Sequence, residues 1–313
     1  MIKKVLGMGA SAMDTVISCP FLPKEDGFQV VEHEEILPGG SCANMLVALN
    51  ALGTKSCLLA KIGDDECGKL FRNTLRADGI DDDLLITKPG GTTLYTYILA
   101  ATDGQHCIFV NIGDSLMDLH PEEIDDAILD GVDLFYADFF PGAATVAMAK
   151  RCREKGIPVV LCMQCTPSFM RRAGNTDEEI DAGLSLADLI ISGRDGYCEW
   201  SGISDYHQAL KAVYNQYHPY FGAVCTAGDT GAIWIQENRT INAKAYAITP
   251  IDSTGAGDSF LGALIYAYFA EGQTPSDALN FASAVGAMKC LRFGPRIKVT
   301  PDEVKAFMAE HQQ

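Results

Sequence analysis

The segment Gly255-Ala256-Gly257-Asp258 joins a loop to an apolar stretch of helical length, residues 261–270. The first amides of a helix have no intrahelical partner and lie at the positive end of the helix dipole, so a helix start attracts anions. Glycines here remove the Cβ atoms that would keep a phosphate away from those amides. Asp258 would lie in the first turn, where its carboxylate could take a proton from an attacking hydroxyl. For this segment alone, an ordinary glycine-rich helix start with Asp258 serving the dipole is equally open.

The composition is typical of a globular protein and argues against two classes of partner. The chain has 313 residues, of which 48% are hydrophobic and 21% charged, enough for one large core. It carries 41 acidic and 24 basic residues, for a formal net charge of -17. Nucleic acids and anionic membranes are bound through clustered Lys and Arg, so we predict neither partner. A phosphorylated ligand held by main-chain amides remains compatible with this charge.

The sequence predicts a cytoplasmic protein. No long apolar region or small-residue cleavage site precedes Asp14, so we predict no signal peptide. No uncharged apolar run reaches the ~18 residues that a membrane span requires. The 11 cysteines are an odd number, which fits reduced thiols better than disulfides. Cys162 and Cys165 form a C-x-x-C without a second such pair, so we predict structural cysteines, with a redox or metal role as the alternative.

Alternating strand and helix signals must position these groups. Repeated strand–helix units of this length predict a mostly parallel sheet covered by helices on both faces, a three-layer α/β/α architecture. No linker divides the chain, so we predict a single domain over residues 1–313. Two β-rich runs, 92–102 and 105–111, interrupt the alternation and are joined by Asp103-Gly104. This pattern predicts a hairpin that projects from the main sheet.

Several noteworthy segments follow predicted strands. Ligands of such sheets gather at the carboxyl ends of the strands, where loops lead into helices. Asp14 follows the first strand, Gly39 and Gly40 precede a helix, residues 228–231 follow a late strand, and Gly255 opens a helix. We therefore expect these segments to converge.

Two segments resemble the signatures of the PfkB family of ribokinase-like carbohydrate kinases. Residues 38–53, PGGSCANMLVALNALG, resemble its amino-terminal signature, and residues 252–260, DSTGAGDSF, resemble its carboxy-terminal one. Between them, residues 61–68 and 112–124 are similar to the family's segments after the second core strand and after the lid. The likeness spans nearly the whole chain in the right order.

The resemblance implies a fold, a reaction and cofactors. It implies a ribokinase-like α/β core with a small β lid, built here from about residues 14–37 and 92–111. ATP would be the phosphoryl donor, Mg²⁺ the metal, and a hydroxyl of a small sugar or related polyol the acceptor. Lids of this kind pair two subunits in many relatives, which favours a homodimer through the lid. The alternatives are a nucleoside kinase of the same fold and a non-catalytic ligand-binding or regulatory relative. A nicotinamide dehydrogenase fits less well, because the glycines after the first strand lack the third one of the dinucleotide fingerprint.

The resemblance also implies roles for individual residues. Asp258 would deprotonate the acceptor hydroxyl, while neighbouring amides stabilise the transferred phosphoryl group. Without the family pattern, Asp14 reads as a turn acid, Asn44 as a polar residue at a helix start, and residues 226–231 as a simple β-turn. The implied set is Gly255, Ala256, Gly257 and Asp258 for catalysis; Asp14, Gly39, Gly40 and Asn44 for the acceptor; Thr226, Gly228, Gly231 and Ser283 for the nucleotide; and Asp252 and Thr254 for a monovalent cation, with K⁺ as the candidate activator.

Three places depart from the family pattern. Relatives carry an acidic element after the strand that ends near Ile191, but here residues 192–199 read SGRDGYCE. Arg194 stands where an acid is expected, either as a phosphate contact or as a solvated base, and only Asp195 or Glu199 could replace the acid. Residues 163–167 lack the usual sugar-side element, and Ser283 replaces an asparagine frequent beside the adenine. These departures leave the acceptor, the donor preference and the metal detail open.

Overall fold

A computed structural model describes residues 1–101, 106–237 and 239–311. The predicted turn Asp103-Gly104 therefore lies outside the described residues. The strands are β1 (Lys4–Met8), β2 (Ala12–Cys19), β3 (His33–Gly39), β4 (Lys55–Gly63), β5 (Leu85–Lys88), β6 (Tyr95–Ala101), β7 (His106–Asn111), β8 (Leu134–Ala137), β9 (Val159–Met163), β10 (Leu189–Gly193), β11 (Gly222–Thr226), β12 (Ala232–Gln236) and β13 (Arg239–Ala243). The α-helices are α1 (Ser41–Ala51), α2 (Glu66–Ala77), α3 (Gly142–Glu154), α4 (Pro167–Ala173), α5 (Asp177–Leu186), α6 (Arg194–Ser201), α7 (Tyr206–Tyr217), α8 (Ala256–Ile265), α9 (Pro275–Cys290) and α10 (Pro301–Glu310).

The main sheet confirms the predicted α/β/α fold. Its order is β13-β12-β11-β10-β9-β8-β1-β4-β5. The seven strands from β11 to β5 in this order are all parallel to their neighbours, and β12 and β13 add an antiparallel edge next to β11. Strands β1, β8 and β9 are almost wholly buried, which explains their short, continuous apolar runs. Helix α8 packs against α1 and α9, while α3 packs against α5.

A second, four-stranded sheet has the order β3-β2-β6-β7. Its β2 and β6 run parallel and the other pairs run antiparallel. We call this sheet the lid. The lid begins with β2 at residue 12, two residues before the predicted start at 14. Residues 28–32, which have a β-like sequence, precede β3 but belong to no strand. Successive side chains of a strand point to opposite faces, so the lid presents one face to the main sheet's ligand-binding edge and one away from it.

Two segments are shorter or differently wound than their sequence pattern predicts. The sequence pattern predicts a helix from Pro121 to Leu129, but the structure has two 3₁₀ turns there, Pro121–Glu123 and Asp126–Leu129, because residues 124 and 125 are extended. Helix α8 ends in a π-helical turn, Tyr266–Ala270. Within the described ranges, none of the helices combines the length and apolar character that spanning a bilayer requires.

Candidate active site

The start of α8 is built around two glycines with different constraints. Gly255 is the N-cap, with φ 73°, and a Cβ there would lie 1.9 Å from the carbonyl oxygen of Pro295. Only glycine tolerates both this positive φ and the close approach of the Pro295 carbonyl. Gly257 faces a cavity, and a Cβ there would meet no atom within 4 Å. The amide of Ala256 donates to Ser253 O at 3.1 Å, so this amide, expected to face the phosphoryl group, is engaged in the turn.

Asp258, the third residue of α8, is a buried carboxylate held by two side-chain amides. Asn44 Nδ2 donates to its Oδ2 at 2.9 Å, and Gln164 Nε2 donates to its Oδ1 at 3.1 Å. Burial raises the pKa of Asp258 to about 7, which the charge of Asp138 supports and the two amide hydrogen bonds oppose. A carboxyl group that titrates near neutrality is well suited to act as a general base at physiological pH.

Arg296 fixes the orientation of Asn44. Its Nε donates to Asn44 Oδ1 at 3.1 Å, so the amide nitrogen of Asn44 must face Asp258. The same guanidinium donates to Asp78 Oδ2 at 2.5 Å and to Gly39 O at 3.3 Å. Sequence reasoning identified Asn44 but missed Arg296, because the two residues are 252 positions apart and no local pattern links them.

A cavity of ≈ 580 Å³ lies between the lid and the helix starts. Asp14 lies on its lid side, where it accepts a hydrogen bond from Thr96 Oγ1 at 2.7 Å, and burial raises its pKa. Gln164 lines the cavity as well, although its segment was noted in the sequence only for lacking the family's sugar-side element. The predicted residues that the structure brings together here are Asp14, Gly40, Asn44, Asp252, Thr254, Gly255, Gly257 and Asp258.

Gly39 lies just outside this cavity and matters through close packing. A Cβ on Gly39 would lie 2.0 Å from Asp14 Oδ2, so glycine allows the Asp14 carboxylate to pack against the main chain. Its carbonyl oxygen accepts the hydrogen bond from Arg296 described above. Gly39 therefore contributes to the position of Asp14 without lining the cavity.

A second cavity, of ≈ 370 Å³, lies at the carboxyl ends of β9, β10 and β11. Gln164 and Cys165 line both cavities, so the two adjoin beside Asp258. Thr226 and Gly228, which are predicted for the nucleotide, line this second cavity.

Two residues predicted for the nucleotide lie outside both cavities. Gly231 follows the 3₁₀ turn Gly228–Thr230, with φ 103°, and its carbonyl oxygen accepts from Ala227 N at 2.8 Å. Ser283 lies within α9, where its Oγ donates to Leu279 O at 2.9 Å. Gly231 thus shapes the turn that carries Gly228, and the adenine role of Ser283 stays a prediction.

The altered element at 192–199 contributes one base and one acid to the second cavity. Arg194 and Asp195, the first residues of α6, both line it. Glu199 instead accepts hydrogen bonds from Ser168 N, at 2.5 Å, and Ser168 Oγ, at 3.0 Å, at the start of α4. Of the two acids that could replace the family's acidic element, Asp195 is therefore the one available to a ligand. The described parts of the chain contain no cluster of three His, Cys, Asp or Glu that could hold a metal by itself.

The predicted cation position beside Asp252 and Thr254 already contains an ammonium group. Asp252 Oδ1 accepts from Thr254 N at 2.8 Å, and its Oδ2 accepts from Gly294 N at 2.9 Å. Lys289, which is fully buried, donates from Nζ to Asp252 O at 2.7 Å and to Arg292 O at 3.1 Å. These residues do not fit a bound K⁺, because the lysine ammonium already donates to Asp252 O and its charge would repel a cation placed beside it.

The chain combines a mostly parallel α/β sheet, a β lid over one cavity, and a buried carboxylate where this cavity adjoins a second one. Such a site could hold a hydroxyl compound and a phosphoryl donor on either side of a general base. The model of the pfkB family of carbohydrate kinases matches residues 3–302. The chain therefore belongs to that family, as its two signatures indicated. It is an ATP-dependent phosphotransferase that acts on a hydroxyl of a small sugar or related polyol.

Named relatives match nearly the whole chain. An ATP-dependent ribose-1-phosphate kinase from Halopiger xanaduensis is 28% identical over 315 residues, covering 98% of each chain. A fructokinase from Solanum tuberosum is 24% identical over 302 residues, covering 91% of each chain. Among solved structures, Arabidopsis thaliana ribokinase complexed with ribose and ATP has a TM-score of 0.81, 20% identity and full coverage of both chains. A candidate ribokinase II from E. coli, in complex with ATP and Mg²⁺, has a TM-score of 0.82 and 21% identity and covers 99% of this chain and all of that one.

Proposed function

We propose that Asp258 is the general base of this kinase. As the acceptor oxygen forms its bond to the γ-phosphorus of ATP, the hydroxyl proton passes to the Asp258 carboxylate, and ADP leaves. Asn44 and Gln164 hold the carboxylate so that it can receive this proton. The observation that carries the proposal is a buried carboxyl group with a pKa of about 7 where two cavities adjoin.

The helix start supplies the groups that stabilise the transferred phosphoryl group. The amides of Gly255 and Gly257 lie at the positive end of the α8 dipole and on the wall of the acceptor cavity. Negative charge that develops on the phosphoryl oxygens would be stabilised there without movement of the protein. Ala256 contributes through the turn rather than through its amide.

The second cavity takes the nucleotide. Thr226 and Gly228 would approach the ATP phosphates, and the Arg194 guanidinium would pair with them directly. Mg²⁺ usually binds through one or two carboxylates together with the phosphates of a nucleotide, so Asp195 is its proposed protein contact. The metal would neutralise charge on the phosphates of the bound ATP.

The acceptor is an uncharged molecule. Three carboxylates, Asp14, Asp252 and Asp258, line its cavity, and among the described lining residues there is no Lys or Arg. A phosphorylated acceptor, such as the one that the Halopiger relative's name specifies, would meet these carboxylates with no Lys or Arg on the described cavity wall to pair with its phosphate. Asp14 and Asn44 instead offer acceptors and a donor for neutral hydroxyl groups.

The apolar wall of the same cavity favours a nucleoside as the second candidate acceptor. The inner face of the lid contributes aliphatic side chains from three strands, and Phe140 and Phe169 add aromatic ones. Such a wall fits a flat or apolar substituent next to the polar sugar subsite. The lid residues in question are Val16, Ile98, Ile108 and Val110.

An ATP-coupled screen tests the acceptor class. Each neutral compound would be paired with its phosphorylated form, for example D-ribose with ribose 1-phosphate, and nucleosides would be included. We expect turnover with neutral compounds only, and the Asp258→Asn variant corrects for background ATP hydrolysis. Turnover confined to the phosphorylated member of each pair would refute the neutral-acceptor proposal.

The outer face of the lid is the proposed homodimer interface. Ile36, Thr15, Tyr97 and Phe109 form one row across the strand register, and the three large apolar side chains are 56%, 45% and 62% exposed. A second copy of the lid would cover this row. Phe109→Lys is expected to give a monomer in light scattering, whereas Tyr220→Lys, at a 77% exposed apolar position on the main domain, leaves the dimer intact. A wild-type monomer at micromolar concentration would contradict the proposal.

A cytoplasmic location is the remaining part of the proposal. All 11 cysteines are free thiols, and several are buried in the core of the main sheet. Reduced thiols of this number are typical of a reducing compartment. Titration with a thiol reagent in denaturant, without added reductant, is expected to find every cysteine reactive.

A further inference from the structure

Lys289 is a fully buried ammonium group that the proposed reaction does not use. It lies in the last turn of α9 with no side-chain exposure, and both of its hydrogen bonds go to main-chain carbonyls. The Asp252 Oδ2 atom lies 3.7 Å from Nζ, an ion pair without a hydrogen bond, and accepts its hydrogen bond from Gly294 N. Burying a charge costs free energy unless hydrogen bonds and an opposite charge compensate for it, so we expect a functional reason for the Lys289 ammonium group at this position.

The two carbonyls belong to the two loops that shape the start of α8. Asp252 O lies in the loop that leads into Gly255, and Arg292 O lies in the loop that follows α9. Pro295, in this second loop, closes against Gly255. Lys289 therefore joins both loops directly behind the amides proposed to face the phosphoryl group.

We propose that Lys289 is a built-in substitute for a monovalent cation, so that this enzyme works without K⁺. This inference rests on the proposed role of the α8 start. An ion placed on the Asp252 and Arg292 carbonyls would compete with the ammonium hydrogen bonds and would be repelled by the lysine charge. Lys289 acts as a positioning residue: its charge holds the loop and adds positive potential behind the site of phosphoryl transfer.

The first test compares the wild-type enzyme in K⁺, Na⁺ and tetramethylammonium chlorides at constant ionic strength. We expect initial rates within about twofold of one another, because the Lys289 ammonium already takes the place of a cation. The constant ionic strength keeps general charge screening the same in all three salts. Activation of roughly tenfold or more by K⁺ over both other cations would overturn the proposal. This comparison needs no variant and does not depend on how a substitution folds.

The second test removes the charge and asks whether a free cation replaces it. Lys289→Met is expected to lose about tenfold or more in kcat when assayed in tetramethylammonium. K⁺ or ammonium should restore part of the rate and raise the melting temperature of the variant, since a ligand that binds only the folded state stabilises it. Lys289→Arg, which keeps a charge, should need no added ion. A Lys289→Met variant as active as wild type in tetramethylammonium would refute the inference.

Lys61→Met is the matched control for loss of a buried lysine. Lys61 is 8% exposed in its side chain and pairs with Glu123 and Asp118 carboxylates away from the site. Its substitution should lower stability without creating any response to K⁺. The proposal about Asp258 fails separately: full turnover by Asp258→Asn would remove the base assignment but leave the cation dependence of the Lys289 variants unchanged.

Discussion

Gln164→Met is expected to move the pH dependence of catalysis upward. Gln164 Nε2 donates to Asp258 Oδ1 at 3.1 Å, and this hydrogen bond favours the ionised carboxylate. A hydrogen bond to a charged group contributes about 1.5 to 3 kcal/mol, and one pKa unit corresponds to about 1.4 kcal/mol. Loss of this bond should therefore raise the pKa of Asp258 by at least about one unit. Methionine keeps the length of the side chain, so the cavity wall changes little.

The assay is the pH profile of kcat/KM with saturating ATP. Only ionised Asp258 can accept the proton, so the wild-type acid limb should fall at about pH 7, the value for the buried carboxyl. In the variant this limb should move to about pH 8, so that it runs roughly tenfold below wild type at pH 6 and near wild type at pH 9. The base itself provides the control, because Asp258→Asn should show no acid limb at all.

A uniform loss across the pH range would refute this reasoning. Such a result would mean that Gln164 contacts the acceptor or the nucleotide but does not set the ionisation of Asp258. An acid limb near pH 4 in the wild type would go further, because it would place the working base in an exposed carboxylate.

Three other predictions concern the same site. Folding raises the pKa of Asp258 from 3.8 to about 7, so ionisation of this group destabilises the native state. The free energy of unfolding of the wild type, relative to that of Asp258→Asn, should therefore fall by up to about 4 kcal/mol as the pH rises from 4 to 8. Urea denaturation of both proteins across this pH range measures the difference. Gly257→Ala should keep wild-type stability while kcat/KM falls by about tenfold or more, because the new methyl group projects into the cavity. Gly255→Ala should instead lower the free energy of unfolding by at least ~1 to 3 kcal/mol, because its methyl group would clash with Pro295. Equal stability in the two variants would contradict this distinction. Arg296→Lys keeps a charge for Asp78 but loses the Nε contact that orients Asn44, so kcat should fall and the acid limb should rise with ATP affinity unchanged; an unaltered kcat would show that Asn44 is oriented without it.

The sequence predicted those parts of the site that are contiguous in the chain. The helix start at 255–258 could be recognised because glycine and aspartate at adjacent positions serve one local geometry. The alternation of strands and helices was enough for the α/β/α fold, and the family signatures added the lid and the acceptor residues. The two 3₁₀ turns at 121–129 were not predictable from pattern, since nothing in the local sequence marks the extended residues 124 and 125 that separate them.

The residues that tune the site were missed because their partners are distant in sequence. Gln164 lies 94 positions from Asp258, and Lys289 lies 37 positions from Asp252. The segment around Gln164 was noted only for lacking a family motif, yet its amide is one of two that hold the base. Local sequence therefore pointed to the candidate base, whereas the groups that set its pKa emerge only from packing.

The distribution of charge between the two cavities explains how one site sorts two ligands. The acceptor cavity has three carboxylates and, among the described lining residues, no base, while the nucleotide cavity contains the Arg194 guanidinium. We therefore expect a triphosphate to be repelled by the carboxylates of the first cavity and to pair with Arg194, beside Asp195, in the second. Asp258 lies at their junction, where burial and the charge of Asp138 raise its pKa and two amides lower it. Burial is the main cause of the raised pKa, and the charge of Asp14, one of the carboxylates that would repel an anionic acceptor, adds to it. In the proposed mechanism, this one carboxylate therefore contributes both to acceptor selection and to the ionisation of the base.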